Sequence, residues 1–325
     1  MTNYKALSDL FLAHLESYSE KERRQRPKEL YDPELYILSL GGKRIRPLLA
    51  LIGCDLFEKN PALALDASLS LEVFHNFSLI HDDILDKAPL RRNQQTVHEK
   101  WNTNIAILSG DLMLVKAFEI LTSYKANILK QLFVKLSETA VQVCEGQQMD
   151  MNFESSEAVS SKEYIEMITK KTAVLLGCSL QLGAICANAN KSSQKKLYEF
   201  GLHLGVAFQL NDDLLDLYGE NTGKQIGGDI LSNKKTYLIL KALEKAKSGQ
   251  RKELHHLLTN TEMDSAIKIQ SAKNIFDQLN IKSLCLEEAN KHTKKAIQCL
   301  LKVKASSAKL EELKTFALSL LNRVN

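Results

Sequence analysis

Helical periodicity runs through nearly the whole chain, and this feature restricts the possible folds most strongly. Leucine, alanine, lysine and glutamate dominate, and no run of alternating β-branched residues is found. Turn signals between apolar stretches are expected at Asn60-Pro61, Gly110, Ser155 to Ser160 and Gly219 to Gly228. The predicted helices cover roughly 3–20, 31–40, 43–57, 61–87, 104–123, 126–151, 161–190, 194–219 and 233–247, with several more towards residue 325. The pattern predicts an all-α fold, a large helical bundle.

The chain of 325 residues is predicted to form one domain over 1–325. No Pro/Gly/Ser-rich linker divides it, and its five prolines all lie at or before position 89. The 44% apolar content is ample for a core. Residues 172–190 carry no charge and approach a membrane-spanning length, but their moderate hydrophobicity favours a helix buried within the protein.

Charge and cysteine usage narrow the class of protein. A net charge of +4, without an arginine-rich arm, argues against nucleic-acid binding. The six cysteines show neither a CxxC pair nor metal-type spacing, which predicts reduced thiols in a cytoplasmic protein. Acidic residues Asp9 and Glu16 within an amphipathic pattern argue against a signal peptide.

The first chemical signal is the segment SLIHDDILDKAPLRR, which runs from Ser78 to Arg92. On the predicted helix, Asp82 and Asp86 lie one turn apart on the same face. Like charges at this spacing destabilise a helix, and Mg²⁺ would compensate them. Arg91 and Arg92 follow, and guanidinium groups bind phosphate oxygens in a bidentate manner. The alternative is a solvated acidic face.

A second copy of this pattern favours the metal hypothesis. Residues 211–216 read NDDLLD against HDDILD in the first motif, 130 positions earlier. Asp212 and Asp216 again interrupt an apolar helical pattern. Two aspartate-rich helix faces are the arrangement expected to bind a cluster of metal ions from both sides, around a central cavity.

A glycine-containing basic segment, GGKRIRP at 41–47, offers a second kind of site. The glycines free the backbone to approach a ligand, and Lys43 and Arg46 share one side of the following helix start. A phosphate could bind there, although a positively charged loop tip is equally compatible. His75 lies two turns before Asp82 on the same face, either as a core residue or as a phosphate donor.

Three later segments carry weaker signals. CEGQQMD at 144–150 places Gln147 and Asp150 on one helix face, as a hydrogen-bonding pair or as part of a surface turn. Lys171, at the start of the uncharged helix, either extends to solvent or points its charge at a leaving anion. The glycine-rich segment 222–229, with Lys224 inside it and Lys234 beyond it, has the composition of a lid over phosphate.

In order and spacing, these motifs resemble the trans-isoprenyl diphosphate synthases, also called polyprenyl synthetases. The resemblance covers residues 38 to about 240 and rests on GGKRIRP, DDILD with the arginine pair, GD at 110–111, GQ at 146–147, KT at 171–172, FQLNDDLLD at 208–216 and GK..G.D....K at 223–234. Asn93 departs from the family, which often has glycine there. Gln225 stands where bacterial members often have proline.

The resemblance implies an all-α, usually homodimeric enzyme that couples isopentenyl diphosphate to an allylic diphosphate. It implies three Mg²⁺ ions, bound with the allylic diphosphate. The implied metal ligands are Asp82, Asp86, Asp212 and Asp216. The implied isopentenyl diphosphate ligands are Lys43, Arg46, His75 and Arg92. The implied allylic diphosphate ligands are Arg91, Lys171, Lys224 and Lys234, with Lys171, Thr172 and Gln209 beside the allylic cation.

The same resemblance suggests a product of C15 to C20, with geranylgeranyl diphosphate (C20) favoured over farnesyl diphosphate. Phe77 lies five residues before the first motif, where an aromatic residue often stops short products, and Phe74 lies deeper. A cyclising terpene synthase would usually replace the second aspartate motif, and a non-catalytic subunit of a heteromeric synthase would usually lose one motif. Both remain alternatives to the short-chain synthase.

Overall fold

The computed structural model describes residues 4–156, 158–219, 227–260 and 263–321. In chain order, the helices are α1 Lys5–Glu22, α2 Lys28–Ser39, α3 Ile45–Asp55, α4 Leu65–Leu85, α5 Val97–Lys100, α6 Thr103–Ile120, α7 Ala126–Ser155, α8 Ser161–Ile168, α9 Val174–Cys186, α10 Lys191–Tyr218, α11 Gly228–Leu231, α12 Tyr237–Lys245, α13 Ser248–Thr259, α14 Ser265–Gln278, α15 Ile281–Leu300 and α16 Ser307–Leu321. Short 3₁₀ turns occupy Pro61–Ala64 and Leu121–Ser123, and a π-helical turn at Thr169–Ala173 joins α8 to α9.

The prediction of an all-α fold is confirmed. Within the described ranges, extended pairing is confined to one hairpin, β1 Leu90–Arg91 and β2 Gln94–Gln95. Its two-residue turn has positive φ at both central positions, +54° at Arg92 and +62° at Asn93. Asn-Gly is the usual sequence signal for such a turn, so Arg-Asn gave no indication of the hairpin.

Of two predicted turn signals, the one before Ser160 does separate two helices, whereas Gly110 does not form a turn. Ser160 is the N-cap of α8, and its hydroxyl accepts a hydrogen bond from the amide of Glu163 while the Glu163 carboxylate accepts one from the Ser160 amide. Gly110, predicted as a turn, lies inside α6, so that prediction was wrong. The reason for a glycine there is a packing contact, described below.

The residues group into two compact units. The first takes in Met1–Ser137, Cys178–Leu197 and Lys304–Glu312, and the second takes in Glu138–Gly177, Tyr198–Val303 and Leu313–Asn325. Each unit is thus assembled from three separate segments. The prediction of a single domain over 1–325 remains a prediction.

In the first unit, α4 packs along α6, and α3 packs beside α4. Its core contains fully buried Leu49, Leu71, Phe74 and Met113. In the second unit, a continuous apolar cluster forms around Leu210, Leu214, Ile275 and Phe276. These cores fix the ends of α4 and α10, where the two aspartate motifs lie.

The uncharged segment 172–190 forms the end of the π-helical turn and α9, and most of its side chains are buried. Burial confirms the interpretation of this segment as an interior helix. In the described part of the chain, no helix is both long and apolar enough to cross a bilayer. All six cysteines are free thiols.

Candidate active site

The first aspartate motif ends α4. Asp82 lies in the last turn of the helix, and Asp86 is the C-cap residue, with its amide donating to the carbonyl of Asp82 at 2.8 Å. Carboxylates at a helix C-terminus face the negative end of the helix dipole, which is electrostatically unfavourable. The Asp82 side chain is 22% exposed and Asp86 is exposed, so a cation can reach both.

Asp83, between them, has a different environment. Its side chain is 1% exposed and receives three hydrogen bonds from the Arg91 guanidinium at 2.7, 2.8 and 2.9 Å. Burial raises the pKa of the Asp83 carboxyl despite the cation beside it. Arg91 also lies 3.8 Å from a carboxylate oxygen of Asp82. Arg91 therefore braces the loop after α4 against the helix, and its predicted role as an allylic diphosphate ligand remains a prediction.

The second motif repeats this division near the end of α10. Asp213 is buried, while Asp212 and Asp216 are partly exposed. The Asp213 carboxylate accepts hydrogen bonds from the Tyr164 hydroxyl at 2.6 Å and from the Gln209 side-chain amide at 3.2 Å. Burial raises the pKa of Asp213 to about 7. In each motif, therefore, the middle aspartate faces the protein and the outer two remain accessible.

Asp216 also contacts the segment that follows α10. One of its carboxylate oxygens accepts a hydrogen bond from the amide of Asp229 at 3.1 Å, and its carbonyl accepts one from the amide of Gly227 at 2.7 Å. The amide of Lys234 in turn donates to the carbonyl of Asp229 at 2.9 Å, and Lys234 is exposed. Lys224 lies outside the described residues.

The glycine-containing basic segment lies in the first unit with Arg92. The Arg92 guanidinium donates to the carbonyl of Gly41, and a Cβ on Gly42 would lie 2.8 Å from that guanidinium. Gly41 and Gly42 have φ of +75° and +121°, which side-chain-bearing residues rarely adopt. The glycines thus allow the guanidinium to lie directly against the backbone.

Arg46 and His75 form a contact, with Arg46 Nη1 lying 3.0 Å from His75 Nε2. Burial, followed by the charge of Arg46, lowers the pKa of His75 well below its usual value. A neutral imidazole accepts at Nε2 when Arg46 donates. Burial also lowers the pKa of Arg46 to about 10, and its Nε is buried without a hydrogen-bond partner among the described residues.

Arginine charges crowd together in this region. Arg44 is paired with Glu72 and also donates to the carbonyl of Leu38. After burial, the charge of Arg92 contributes to the lowered pKa of Arg46. Burial, followed by the charge of Arg44, lowers the pKa of Arg92. Arg46, with a buried donor that has no partner among the described residues, therefore lies close to the exposed guanidinium of Arg92, and neighbouring cations with an unsatisfied donor are the pattern of an anion site.

The predicted chain-length residues lie along α4. The Phe74 and Phe77 rings meet edge to face with centroids 5.4 Å apart, and the His81 ring meets Phe77 at 5.1 Å. His81 Nε2 lies 3.1 Å from the carbonyl of Ile107 in α6. A Cβ on Gly110 would lie 2.2 Å from that nitrogen, so the imidazole occupies the space that a side chain at 110 would need.

Lys171 and Thr172 lie in the π-helical turn Thr169–Ala173 of the second unit. The Lys171 ammonium is 2.7 Å from a carboxylate oxygen of Asp150. Asp150 lies within α7, so the surface-turn interpretation of 144–150 was wrong. Gln209, predicted to lie beside a cation, donates to Asp213 in this structure.

Sequence reasoning missed several contributors: the bracing of Asp83 by Arg91, the Arg44–Glu72 pair, Tyr164, and His81. In the sequence, the available indication of such residues is a polar residue within an apolar helical stripe. This pattern predicts that the polar side chain is buried, but it does not show which residue it contacts. Each unit carries one aspartate motif, and the predicted convergence of both motifs on one metal cluster remains a prediction.

The outer aspartates supply the hard oxygen donors that Mg²⁺ prefers. Among the residues that the structure describes, no three His, Cys, Asp or Glu side chains form a self-contained metal site. Mg²⁺ commonly takes one or two protein carboxylates and completes its shell with water and phosphate oxygens. The accessible pair Asp82 and Asp86, one turn apart, fits that requirement.

The comparisons with known proteins agree with the fold and these motifs. The sequence profile described as polyprenyl synthetase matches residues 27–276. The chain is 38% identical over 291 residues to a geranylgeranyl diphosphate synthase of Saccharolobus solfataricus, covering 88% of this chain and 87% of the relative. It is 40% identical over 233 residues to a geranylgeranyl pyrophosphate synthase of Geoglobus acetivorans, covering 70% of this chain and 73% of the relative.

A comparison with a solved structure indicates the same family. A crystal structure of a geranylgeranyl pyrophosphate synthase superposes with a TM-score of 0.93 at 41% identity and covers 99% of both chains. The fold and paired aspartate motifs define an all-α enzyme of isoprenoid chemistry. The chain belongs to the polyprenyl synthetase family and is a short-chain prenyltransferase. The comparisons do not support the cyclase or non-catalytic subunit alternatives.

Proposed function

We propose that the protein condenses isopentenyl diphosphate head to tail with an allylic diphosphate, in the presence of Mg²⁺, to give geranylgeranyl diphosphate. The observation that carries this proposal is the arginine site around Arg46, His75 and Arg92, where the buried Nε of Arg46 has no hydrogen-bond partner in the described part of the chain. A cyclase needs a single diphosphate site, whereas a condensing enzyme needs a second one. The names of the relatives support the same product class.

The arginine site would bind the diphosphate of isopentenyl diphosphate. Arg46 and Arg92 would supply charge-assisted donors, and Lys43, which is exposed, would add a third cation. His75 would donate through Nδ1, because its Nε2 faces Arg46. Binding the diphosphate relieves the repulsion between the guanidinium groups, which makes the anion a stabilising partner of the folded protein.

The outer aspartates, Asp82 and Asp86 in one motif and Asp212 and Asp216 in the other, would hold Mg²⁺. Bound there, the metal supplies Lewis-acid stabilisation of charge on the allylic diphosphate. Arg91, Lys171, Lys224 and Lys234 would bind the remaining oxygens of that group.

In the reaction, the allylic C–O bond breaks and its electron pair leaves with the diphosphate. Lys171 stabilises the added charge on that leaving group, while Thr172 and Gln209 present side-chain dipoles to the allylic cation. The alkene of isopentenyl diphosphate then attacks the cation to form the new C–C bond, and a proton leaves to the departed diphosphate. Residues of this chain must also exclude water, since water would convert the cation to an alcohol.

Product length would be limited by Phe77, with Phe74 behind it. The edge-to-face contacts with Phe74 and His81 hold the Phe77 ring in one orientation, which makes it a firm obstacle rather than a mobile one. This arrangement supports a C20 product, with C15 as the shorter outcome.

A homodimer is part of the proposal. Within the first unit, α6 and α7 expose Leu108, Val115, Phe133 and Val134 at 47–65% of their surface. The Phe118 and Phe133 rings lie 5.1 Å apart, so the two helices are neighbours here, and exposed apolar patches are typical of protein interfaces. Val115→Glu should convert a dimer to a monomer in sedimentation equilibrium, and Leu301→Glu, at a still more exposed apolar residue of the second unit, should not. A monomeric unmodified protein would exclude this interface.

The decisive assay incubates the protein with Mg²⁺, labelled isopentenyl diphosphate and each allylic primer in turn, followed by chromatography of the dephosphorylated products. Incorporation of label into a C20 alcohol supports the proposal, and a cyclic hydrocarbon or no incorporation excludes it. Arg46→Gln should raise the KM for isopentenyl diphosphate about 10- to 100-fold, because about 1.5–3 kcal/mol of charge-assisted hydrogen bonding is lost. The matched control is Arg23→Gln, which removes an exposed arginine paired with Glu16 at 2.9 Å.

A further inference from the structure

Gly146 of α7 lies against the π-helical turn that carries Lys171. A Cβ built on Gly146 would lie 2.3 Å from the Lys171 amide nitrogen and 2.7 Å from its Cα. These are backbone atoms, which cannot rotate away as a side chain can. The two backbones are therefore in direct contact, and any residue larger than glycine at 146 must push the turn away.

A second glycine contacts the same turn from another helix. A Cβ on Gly205 of α10 would lie 2.6 Å from the Cα of Ala173, the last residue of the turn. The turn is thus confined between α7 and α10 within the second unit. Gln209 follows Gly205 by one helical turn on α10, so the confinement lies close to residues of the proposed site.

The π geometry itself is visible in the hydrogen bonding. The amide of Val174 donates to the carbonyl of Thr169, five residues earlier, instead of to that of residue 170. A π turn accommodates one extra residue and changes the direction of the side chains around it. Such turns occur mostly at functional sites, where packing stabilises an otherwise unfavourable geometry.

The Lys171 side chain is held by the same helix that holds its backbone. Asp150 lies one turn beyond Gly146 on α7, and its carboxylate is 2.7 Å from the Lys171 ammonium. The two side chains are only 36% and 23% exposed. Gly146 therefore determines the position of the Lys171 backbone, and Asp150 determines the direction in which the Lys171 side chain extends.

From these contacts we propose that Gly146 and Asp150 are positioning residues for Lys171, and that they set its reach towards the diphosphate of the allylic substrate. The inference rests on the proposed function and extends it to two residues of α7. Binding of isopentenyl diphosphate depends on the first unit, so a displacement of Lys171 affects one substrate and not the other.

The test compares kinetic constants for the two substrates separately. Asp150→Asn keeps the side-chain shape but removes the charge that holds Lys171. We expect the KM for the allylic diphosphate to rise and kcat to fall, giving about a tenfold loss of kcat/KM, with an unchanged KM for isopentenyl diphosphate; a misplacement of about 1 Å can cost 10²-fold. Asp150→Glu should recover part of the loss. Equal changes for both substrates, or none, would overturn the proposal.

A matched control lies beside this pair. Glu145 contacts the Lys170 ammonium at 3.0 Å, which is the same kind of ion pair between the same two segments. Glu145→Gln should leave both KM values at the wild-type level. If it reproduces the effect of Asp150→Asn, general loosening of α7 explains the result and the proposal is wrong.

The glycine contact is tested with Gly146→Ala against Gly249→Ala. Gly249 lies in α13, and a Cβ added there would have no atom of the described residues within 4 Å, so the same substitution meets no obstacle among them. Gly146→Ala should reduce kcat/KM for the allylic diphosphate by about 10²-fold if the turn shifts by about 1 Å. If this variant does not fold, the Asp150 series decides the question alone.

A readout independent of catalysis separates this inference from the proposed function. Reductive methylation followed by mass spectrometry measures the reactivity of each lysine. Because a lysine in an ion pair holds its proton, Lys171 should react several-fold faster in Asp150→Asn, while Lys170 should not change. An unchanged rate at Lys171 overturns the positioning role even in an active enzyme. An inactive wild type with the expected reactivity change would exclude only the proposed function.

Discussion

The middle aspartate of the first motif offers a test that separates stability from catalysis. Asp83→Asn removes the negative charge beneath Arg91 while keeping the side-chain shape. The Asp83 side chain is 1% exposed and Arg91 is 24% exposed, so the remaining guanidinium would be left largely desolvated without its partner. The carbonyl oxygen of asparagine can still accept the two hydrogen bonds that Arg91 donates to Asp83 Oδ1.

Breaking a buried ion pair by removing one partner typically costs about 3–5 kcal/mol, and the retained acceptor places this variant near 3 kcal/mol. For a chain of 325 residues, per-residue averages give an unfolding entropy of about 0.7 kcal/mol/K, so Tm should fall by about 4 °C. Turnover per folded molecule at a temperature well below Tm should stay within several-fold of wild type.

The comparison variant is Asp82→Asn, which removes a proposed metal ligand. It should lower Tm less than Asp83→Asn and reduce kcat by about 10²-fold or more, since one preorganised electrostatic group typically contributes that much. Asp9→Asn, in an exposed pair with Lys5 at 2.6 Å, serves as the control and should change neither quantity measurably.

Scanning calorimetry and steady-state turnover measure the two quantities on the same samples. The reasoning is refuted if Asp83→Asn keeps the wild-type Tm and loses turnover, because Asp83 would then act on substrate or metal instead of bracing the loop. A similar loss of Tm in both variants would also contradict the division between middle and outer aspartates.

Three further predictions concern chain length, packing and pH. Phe77→Ala should lengthen the main product by at least one five-carbon unit on thin-layer or liquid chromatography, and an unchanged product removes Phe77 as the obstacle. Gly110→Ala should displace His81, broaden the product distribution and lower Tm, whereas an unaltered distribution would show that His81 does not orient Phe77. Burial lowers the pKa of His292 to about 4, with nearby His203 contributing. The unfolded chain therefore binds a proton between pH 6.5 and 4 that the folded protein does not, so stability is lost as pH falls through this window, by about 1.6 kcal/mol between pH 6.5 and 5. Urea unfolding should show a smaller loss for His292→Gln, and equal losses in both proteins would contradict this origin.

The helical architecture could be predicted from sequence because leucine-rich periodicity survives in nearly every helix. The two aspartate motifs could also be found, since the second repeats the sequence of the first. The sequence did not indicate that the middle aspartate of each motif is buried while the outer two are accessible. Asp83 is braced by a residue eight positions later and Asp213 by Tyr164, 49 positions earlier, and these contacts depend on how α8, α10 and the loop after α4 pack.

The local backbone geometry at two positions could not be predicted from the sequence either. The sequence KKTA carries no signature of a π turn, because the geometry is imposed by Gly146 and Gly205 on neighbouring helices. Gly110 looked like a helix break for the same reason: a glycine required by a neighbouring ring cannot be distinguished from one required by a turn.

The hairpin after α4 has a consequence for engineering the protein. Positions 92 and 93 both need left-handed backbone, which glycine adopts freely and arginine adopts at a cost of about 1–2 kcal/mol. A library selected for thermostability alone would therefore enrich glycine at position 92 and discard the guanidinium that contacts Gly41. Asn93→Gly relaxes the same turn without removing any charge, so position 93 is where heat tolerance can be gained without a trade-off against turnover.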